Sequence, residues 1–224
     1  MTRESFYLDQ VNKYIRDKNA KILVLGAGTL DKKVFEALEF NNVTYSNIEN
    51  TTERDLNVFE NLHDIRINDS KYDYCVAHAC IHHSSKPHSA ILELYRVSTK
   101  GALIIEARDS FISKIACKFK FSEEYELSAV KKNITTGGVD NTNIPNYVFR
   151  WTEREILKLL KSYKPELKHK IEYGYGHHIK FSNSKILRFL FKVFFFIFKK
   201  QQNLFSIFIN KEFSKNNYND WIKL

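Results

Sequence analysis

The stretch from Lys21 to Glu49, KILVLGAGTLDKKVFEALEFNNVTYSNIE, most restricts the folds open to this chain. An apolar run, Ile22 to Leu25, breaks at Gly26-Ala27-Gly28. A helical spacing of Val34, Phe35 and Leu38 follows, and then a β-rich run from Val43 to Ile48. Strand, glycine turn, helix and strand make the opening unit of a doubly wound α/β sheet. Such a sheet binds its ligand where the first strand hands over to the first helix. Glycine has no Cβ, so the chain can bend sharply there and a ligand can come close. Glu49 follows Gly28 by 21 residues, about the distance at which these sheets offer a carboxylate to a ribose.

The turn discriminates between nucleotides. A dinucleotide site needs G-x-G-x-x-G, but the third glycine position holds Asp31, preceded by Leu30. A phosphate-cradling loop needs Gly-Lys-Ser/Thr, and the sequence has none. A short GAG turn suits a ligand without a pyrophosphate, which favours S-adenosylmethionine over NAD. The bland alternative is a turn that only joins strand to helix.

At 224 residues the chain is expected to be one domain, 1–224, with a sizeable core. The start, MTRESFYLDQ, lacks a signal-peptide apolar stretch, and three cysteines (Cys75, Cys80, Cys117) fit a reducing compartment, so the chain is read as cytoplasmic. The net charge of +9 lies entirely after residue 160: residues 1–160 balance at 22 basic and 22 acidic, whereas 161–224 carry 13 against 4. Nine of the eighteen phenylalanines fall between Phe181 and Phe208. A Phe-rich basic tail points to lipid rather than to nucleic acid.

A helix is expected over 4–19, and the polar segment 51–69 offers Leu56, Val58, Leu62, Ile65 and Ile67 as short-strand positions. Tyr74 to Ala77 reads as a buried strand. Residues 88–97 read as a helix capped by Ser89 and stopped by Lys100-Gly101, and Ala102 to Glu106 as the next strand. Thr152 and Glu155 have capping-box spacing before a helix that Pro165 ends. Ile171 to Lys180 and Leu204 to Lys211 read as the last strands. Between them lies a hydrophobic basic insertion, 184–202, centred on KILRFLFKVFFFIFKK at 185–200. Its 16 residues reach about 24 Å as a helix, short of the ~30 Å hydrocarbon core. It suits a helix lying in an anionic lipid interface, or else a lid or a homodimer helix.

YDYCVAHACIHH, Pro87, ILELYRV, Lys100-Gly101 and ALIIEARDS together resemble the class I S-adenosylmethionine-dependent methyltransferases. The likeness is to the small-molecule branch with the methyltransferase type 11 domain, and EYELSAVKKN, GGVDNTNIPNYVFRWTEREI and NLFSIFINKE resemble a bacterial group within it. The resemblance implies a Rossmann-like, doubly wound, seven-stranded sheet with an antiparallel C-terminal hairpin. Four family positions depart. Leu30 takes the place of the last glycine of the usual GxGxG. Val24 stands two places before the first glycine, where an acidic residue is usual; Asn47 replaces the ribose-binding carboxylate; and Val58-Phe59 stand where the adenine-reading Asp belongs.

On this reading Gly26, Ala27 and Gly28 pass beside the cofactor's amino-acid part, and Asn47, with Glu49 in reserve, holds the ribose. Phe59 and Glu60 flank the adenine, and His78 closes the site through its backbone. An oxygen acceptor needs a base to take its proton, and the imidazole range suits the task. His83 is the preferred base; His82 and Asp109 are the others. Arg108 is placed against an anionic acceptor, and Tyr147, Arg150 and Trp151 along its pocket. The cluster Cys75, His78, Cys80, His82, His83 and His88 matches no recognised zinc spacing, so no metal is expected. The function expected is methyl transfer from S-adenosylmethionine to an oxygen of a small or lipid-linked, saccharide-type acceptor. The protein would sit in the cytoplasm or on the inner face of the membrane. The rivals are a non-catalytic module that keeps the fold and an NAD-dependent oxidoreductase.

Overall fold

A computed structural model describes residues 2–48, 60–131, 136–177 and 193–216. Helix α1 (Arg3–Tyr14) starts in a reciprocal cap: the Ser5 N–H donates to the Thr2 hydroxyl and the Thr2 N–H to Ser5 Oγ. The expected strand-turn-helix-strand follows as β1 (Ile22–Leu25), α2 (Thr29–Ala37) and β2 (Val43–Ser46). A second such unit is β3 (Tyr72–His78), α3 (Pro87–Val97) and β4 (Ser98–Ala107). Helices α4 (Phe111–Lys118), α5 (Leu127–Lys131) and α6 (Glu153–Tyr163) lead to the closing strands β5 (Leu167–Gly176) and β6 (Leu204–Asn216).

The strands form one sheet in the order β2-β1-β3-β4-β6-β5. The first four are parallel, and β6 runs antiparallel to both β4 and β5, which gives the expected C-terminal hairpin. Six strands are present among the described residues, not the expected seven. Residues 51–59 lie outside them, and 60–71 form no strand. The reason is visible in the backbone partners: the carbonyls of Ile65 and Ile67 accept from the Arg96 guanidinium of α3, at 2.7 and 2.9 Å, and not from a neighbouring strand.

Two local expectations change. Ser89 is not the cap of α3; Pro87 takes the first helical position, where its missing N–H costs nothing, and Lys86 precedes it. Lys100-Gly101 lie inside β4, where a Cβ on Gly101 would stand 2.7 Å from the Ile209 carbonyl oxygen of β6. That glycine serves strand packing. Both sheet faces are apolar, as a parallel sheet covered on two sides requires. One face packs Leu23, Cys75, Ala102, Ile104 and Ile207 under α3 and α6; the other packs Ile22, Val24, Val76, Leu103 and Phe208 under α1 and α2. The carboxyl ends of β1, β3 and β4 are left to form one rim.

Candidate active site

At that rim Gly26 is required twice over. Its φ of +62° belongs to the left-handed region, and a Cβ there would lie 2.5 Å from Cys80 Cβ. Cys80 is fixed in turn, its thiol donating to the Leu25 carbonyl at 3.3 Å. Gly28 differs: its backbone is extended, and a Cβ would meet only Asp31 Oδ2 at 3.9 Å. The expected crowding at both glycines is confined to Gly26.

Asp31 occupies the first turn of α2 and closes it from within. Its Oδ2 accepts from the Gly28 N–H at 2.9 Å and its Oδ1 from the Tyr7 hydroxyl at 2.8 Å. Burial raises the Asp31 pKa, while the Gly28 N–H, the nearby His78 and the Tyr7 hydroxyl oppose that shift. A dinucleotide would put its pyrophosphate at this helix N-terminus. Here a protein carboxylate already uses the donor, and a second anion would meet its charge. The turn fits a ligand that brings no phosphate.

Beside it opens a cavity of about 220 Å³, walled by Gly26, Asn47, Glu60, Ala79, Cys80 and His83 and reached from the far side by Asp140 and Asn141. Four of the expected site residues therefore meet: Gly26, Asn47, Glu60 and His83. The Asn47 amide donates to the Ala27 carbonyl at 3.1 Å while its oxygen accepts from the Ile48 N–H at 2.7 Å, so the side chain is pinned at the wall. Glu60 is anchored similarly, accepting from the Arg66 N–H at 2.7 Å. Ala27 and Gly28 sit behind the wall, and Glu49 and Phe59 lie outside the described residues. Ala79, one residue after His78, lines the cavity in its place. The His78 ring stacks on Tyr7 at 4.4 Å on the α1 side, whereas Ala79, at φ +49°, turns into the cavity.

The histidine pair lies in the short 3-10 turn Ile81–His83 and meets two carboxylates that sequence reasoning missed. Glu106, at the end of β4, is buried; one oxygen accepts from the Ile81 N–H at 2.7 Å and the other lies 2.8 Å from His82 Nδ1. Glu126, just before α5, lies 3.5 Å from His82 Nε2 and 3.2 Å from His83 Nε2. On its far side, His83 Nδ1 stands 2.8 Å from the Asn146 side-chain amide. Burial works against charge on His82, but Glu106 and then Glu126 outweigh it and push its pKa up to about 10. Both His82 ring nitrogens face carboxylates, so of the pair His83, which lines the cavity, is the more open to an acceptor. The two imidazoles hold Glu126 far below the usual carboxylate range. A carboxylate closing an apolar strand, as in ALIIEA, was a readable signal for Glu106; Glu126 had none.

The remaining expected residues divide between a separate hollow and the core. Asp109, Tyr147 and Arg150 line a second hollow of about 380 Å³ with Glu124, Phe149 and Glu155. Arg108 and Trp151 do not reach it. Arg108 Nε donates to the Lys200 carbonyl at 2.6 Å and Nη1 to Glu153 at 2.8 Å, and the guanidinium stacks over Tyr175 and Phe205. A guanidinium buried and held in this way is turned into the protein and away from both hollows. Trp151 is fully buried in the α3–α6 core.

Residues 33–105 match the family model of the methyltransferase domain. The fold aligns with a Haloferax volcanii protein solved in complex with the Trm112 methyltransferase activator (TM-score 0.57, 11% identity, 93% of this chain and 88% of the other). It aligns with a Bacillus halodurans C-125 structure described as a methyltransferase (0.54, 12%, 91% and 98%). It also aligns with the magnesium protoporphyrin IX methyltransferase of Synechocystis PCC 6803, solved with bound S-adenosylhomocysteine (0.52, 9%, 93% and 81%). No curated protein matches the chain by sequence. At these identities the structural likeness speaks for the fold; the family match speaks for the domain. The family match covers residues 33–105, about a third of the chain, and the solved structures share its Rossmann-like fold over nine-tenths of its length.

Proposed function

We propose that the chain methylates an oxygen of a small acceptor, with the cofactor in the cavity beside Gly26 and the acceptor at the His83–Glu126 end. The observation that carries this is the meeting, in one cavity at the strand tips, of a side-chain-free bend and an imidazole backed by a carboxylate. The bound cofactor supplies an electrophilic methyl, displaced in line. Within that frame Gly26 and Ala79 give backbone approach, Asn47 faces the ribose and Glu60 stands at the adenine side. Asp31 keeps phosphate out. His83 receives the acceptor hydroxyl and takes its proton, Glu126 stabilises the imidazolium that forms, and His82, held between two carboxylates, fixes Glu126 in place. Asp140 and Asn141 close the acceptor side: the Asp140 carboxylate accepts from the Ser85 N–H at 3.0 Å, and Asn141 Oδ1 from the Gly137 N–H at 3.1 Å.

A lipid-linked acceptor is the finer form of this reading. Residues 178–192, which include the first nine of the 19 in the basic insertion, lie outside the described residues. Its end adjoins α4, whose Ile112 N–H donates to Gln201 Oε1 at 3.2 Å. Phe111, Phe119, Phe121, Phe196 and Ile197 are all more than half exposed there, among Lys114, Lys118, Lys120, Lys199 and Lys200. Such a face suits an anionic lipid surface better than water. No helix among the described residues is long and apolar enough to cross a membrane.

Calorimetric titration of the purified chain with S-adenosylmethionine and with NAD tests the cofactor reading. Heat from the first alone is expected; heat from NAD alone would mean the oxidoreductase reading was the right one. Cofactor binding without transfer of a labelled methyl in lysate from the native host would favour the non-catalytic module.

A further inference from the structure

We infer that His82, His83 and Glu126 form a binding site for one divalent first-row transition ion, zinc or a metal of similar ligand preference. Their ligand atoms, His82 Nε2, His83 Nε2 and Glu126 Oε2, all lie within 4.8 Å of one another. The two measured edges are 3.2 and 3.5 Å. Ligands held about 2.0–2.1 Å from a tetrahedral zinc stand roughly 3.3 Å apart, so little movement is needed to admit an ion. Two imidazoles and one carboxylate are a donor set that such ions accept with a position left open.

A second observation points the same way. Glu126 Oε2 is buried and makes no hydrogen bond, although two ring nitrogens lie beside it. An oxygen that converges on two ring nitrogens, close to both but aligned as a hydrogen bond with neither, is placed as a ligand is. The outer partners agree: Glu106 is 2.8 Å from His82 Nδ1, the carboxylate–histidine support that fixes a ligating ring. Asn146 is as close to His83 Nδ1, and its Oδ1, buried without a partner, can serve that nitrogen once the amide turns. Cysteine and histidine spacing carries no sign of this set, because its third member, Glu126, comes 43 residues after His83.

Binding displaces any Nε2 proton to solvent, and His83, one of the three ligands, also lines the cavity beside Gly26. An acceptor hydroxyl bound there would lose its proton more readily. That consequence rests on the proposed methyl transfer; the ion site does not.

The test uses tag-free, chelator-treated chain. Titration with Co2+ is followed by its visible d–d bands and then by Zn2+ competition. One ion per chain is expected, with the intense bands of four-coordinate cobalt. Glu126→Gln and His83→Gln should each weaken binding about tenfold or more, and Glu106→Gln by about 10–100-fold. His88→Asn, outside the cluster, should bind as the parent does. Variants are compared only where their melting stays cooperative. Absence of saturable binding, or an unchanged affinity in both Glu126→Gln and His83→Gln, overturns the site. S-adenosylmethionine is titrated in parallel. A chain that takes up the cofactor but no ion refutes this inference alone, whereas one that binds the ion but not the cofactor upholds it and refutes the methyl-transfer reading.

Discussion

Gly26 and Gly28 look alike in the sequence, yet only one is demanded by the protein's own atoms. Gly26→Ala places a side chain in the left-handed region, which alone costs roughly 1–2 kcal/mol, and drives its Cβ into Cys80. Gly28→Ala fits the fold as it stands. Urea denaturation is therefore expected to show a clear loss for Gly26→Ala and almost none for Gly28→Ala. Calorimetry on the latter then reads ligand approach by itself: a folded Gly28→Ala chain with weakened S-adenosylmethionine binding shows that the second glycine is kept for the cofactor. Unchanged affinity would return Gly28 to a plain connecting role.

The pair Glu93 and Arg96 shows a titration with a defined sign. Both Glu93 oxygens accept from the guanidinium, at 2.8 and 2.7 Å, and one also accepts from the Ile65 N–H at 3.0 Å. The Arg96 contact holds the Glu93 carboxyl below its ordinary value. Its stabilising contribution is therefore present above the unfolded carboxylate range, near 4.3, and is lost as the pH falls through the folded value. Thermal melts of the parent and of Glu93→Gln should differ at pH 7 and converge toward pH 3. A gap that stays constant over that range would show the ion pair contributes nothing.

Among the elements, the C-terminal hairpin is tied to the rest of the sheet edge by Arg108. Its guanidinium joins the Lys200 carbonyl, the first turn of α6 through Glu153, and the ring faces of Tyr175 and Phe205. The Tyr175 hydroxyl completes the cluster, donating to Glu153 at 2.6 Å. Arg108→Lys keeps the charge but loses the fork and the stacking. It should destabilise the chain by about 2–3 kcal/mol in chemical denaturation, less than a fully buried pair because Glu153 is partly exposed. Cofactor affinity should be unchanged. A loss of acceptor turnover without a loss of stability would restore the role first expected of this residue. The N-terminus of α6 teaches the same lesson: the Thr152 hydroxyl accepts from the Glu155 N–H at 3.2 Å as its spacing suggests, but the Glu155 carboxylate goes to His88 rather than completing the box.

On the surface of the whole molecule, exposed Phe111, Phe119, Phe121, Phe196 and Ile197 gather with lysines around α4 and the turn before β6. Flotation with anionic liposomes is expected to carry the chain, and neutral liposomes are not. Phe119→Asp and Phe121→Asp together should abolish flotation without altering the melt, since both side chains are exposed. A chain that stays in the soluble fraction whatever the lipid charge, with a dimer in sedimentation, would make that face a protein interface.

The antiparallel pairing of the closing strands was implied only by the family resemblance. The order of β1, α2 and β2, the glycine bend, both βαβ units and the two closing strands themselves were legible in the sequence. Each is written in local terms, as apolar runs, turn residues and helical spacing over a few neighbours. What only the tertiary structure decided depends on side chains brought together from distant positions. Cys80 makes Gly26 indispensable from 54 residues away, Glu126 and Glu106 join the histidine pair, and Arg96 takes the carbonyls expected to pair in a further strand. Spacing along a chain sets the period of an element, whereas which carboxylate faces which imidazole is settled by how the packed elements meet.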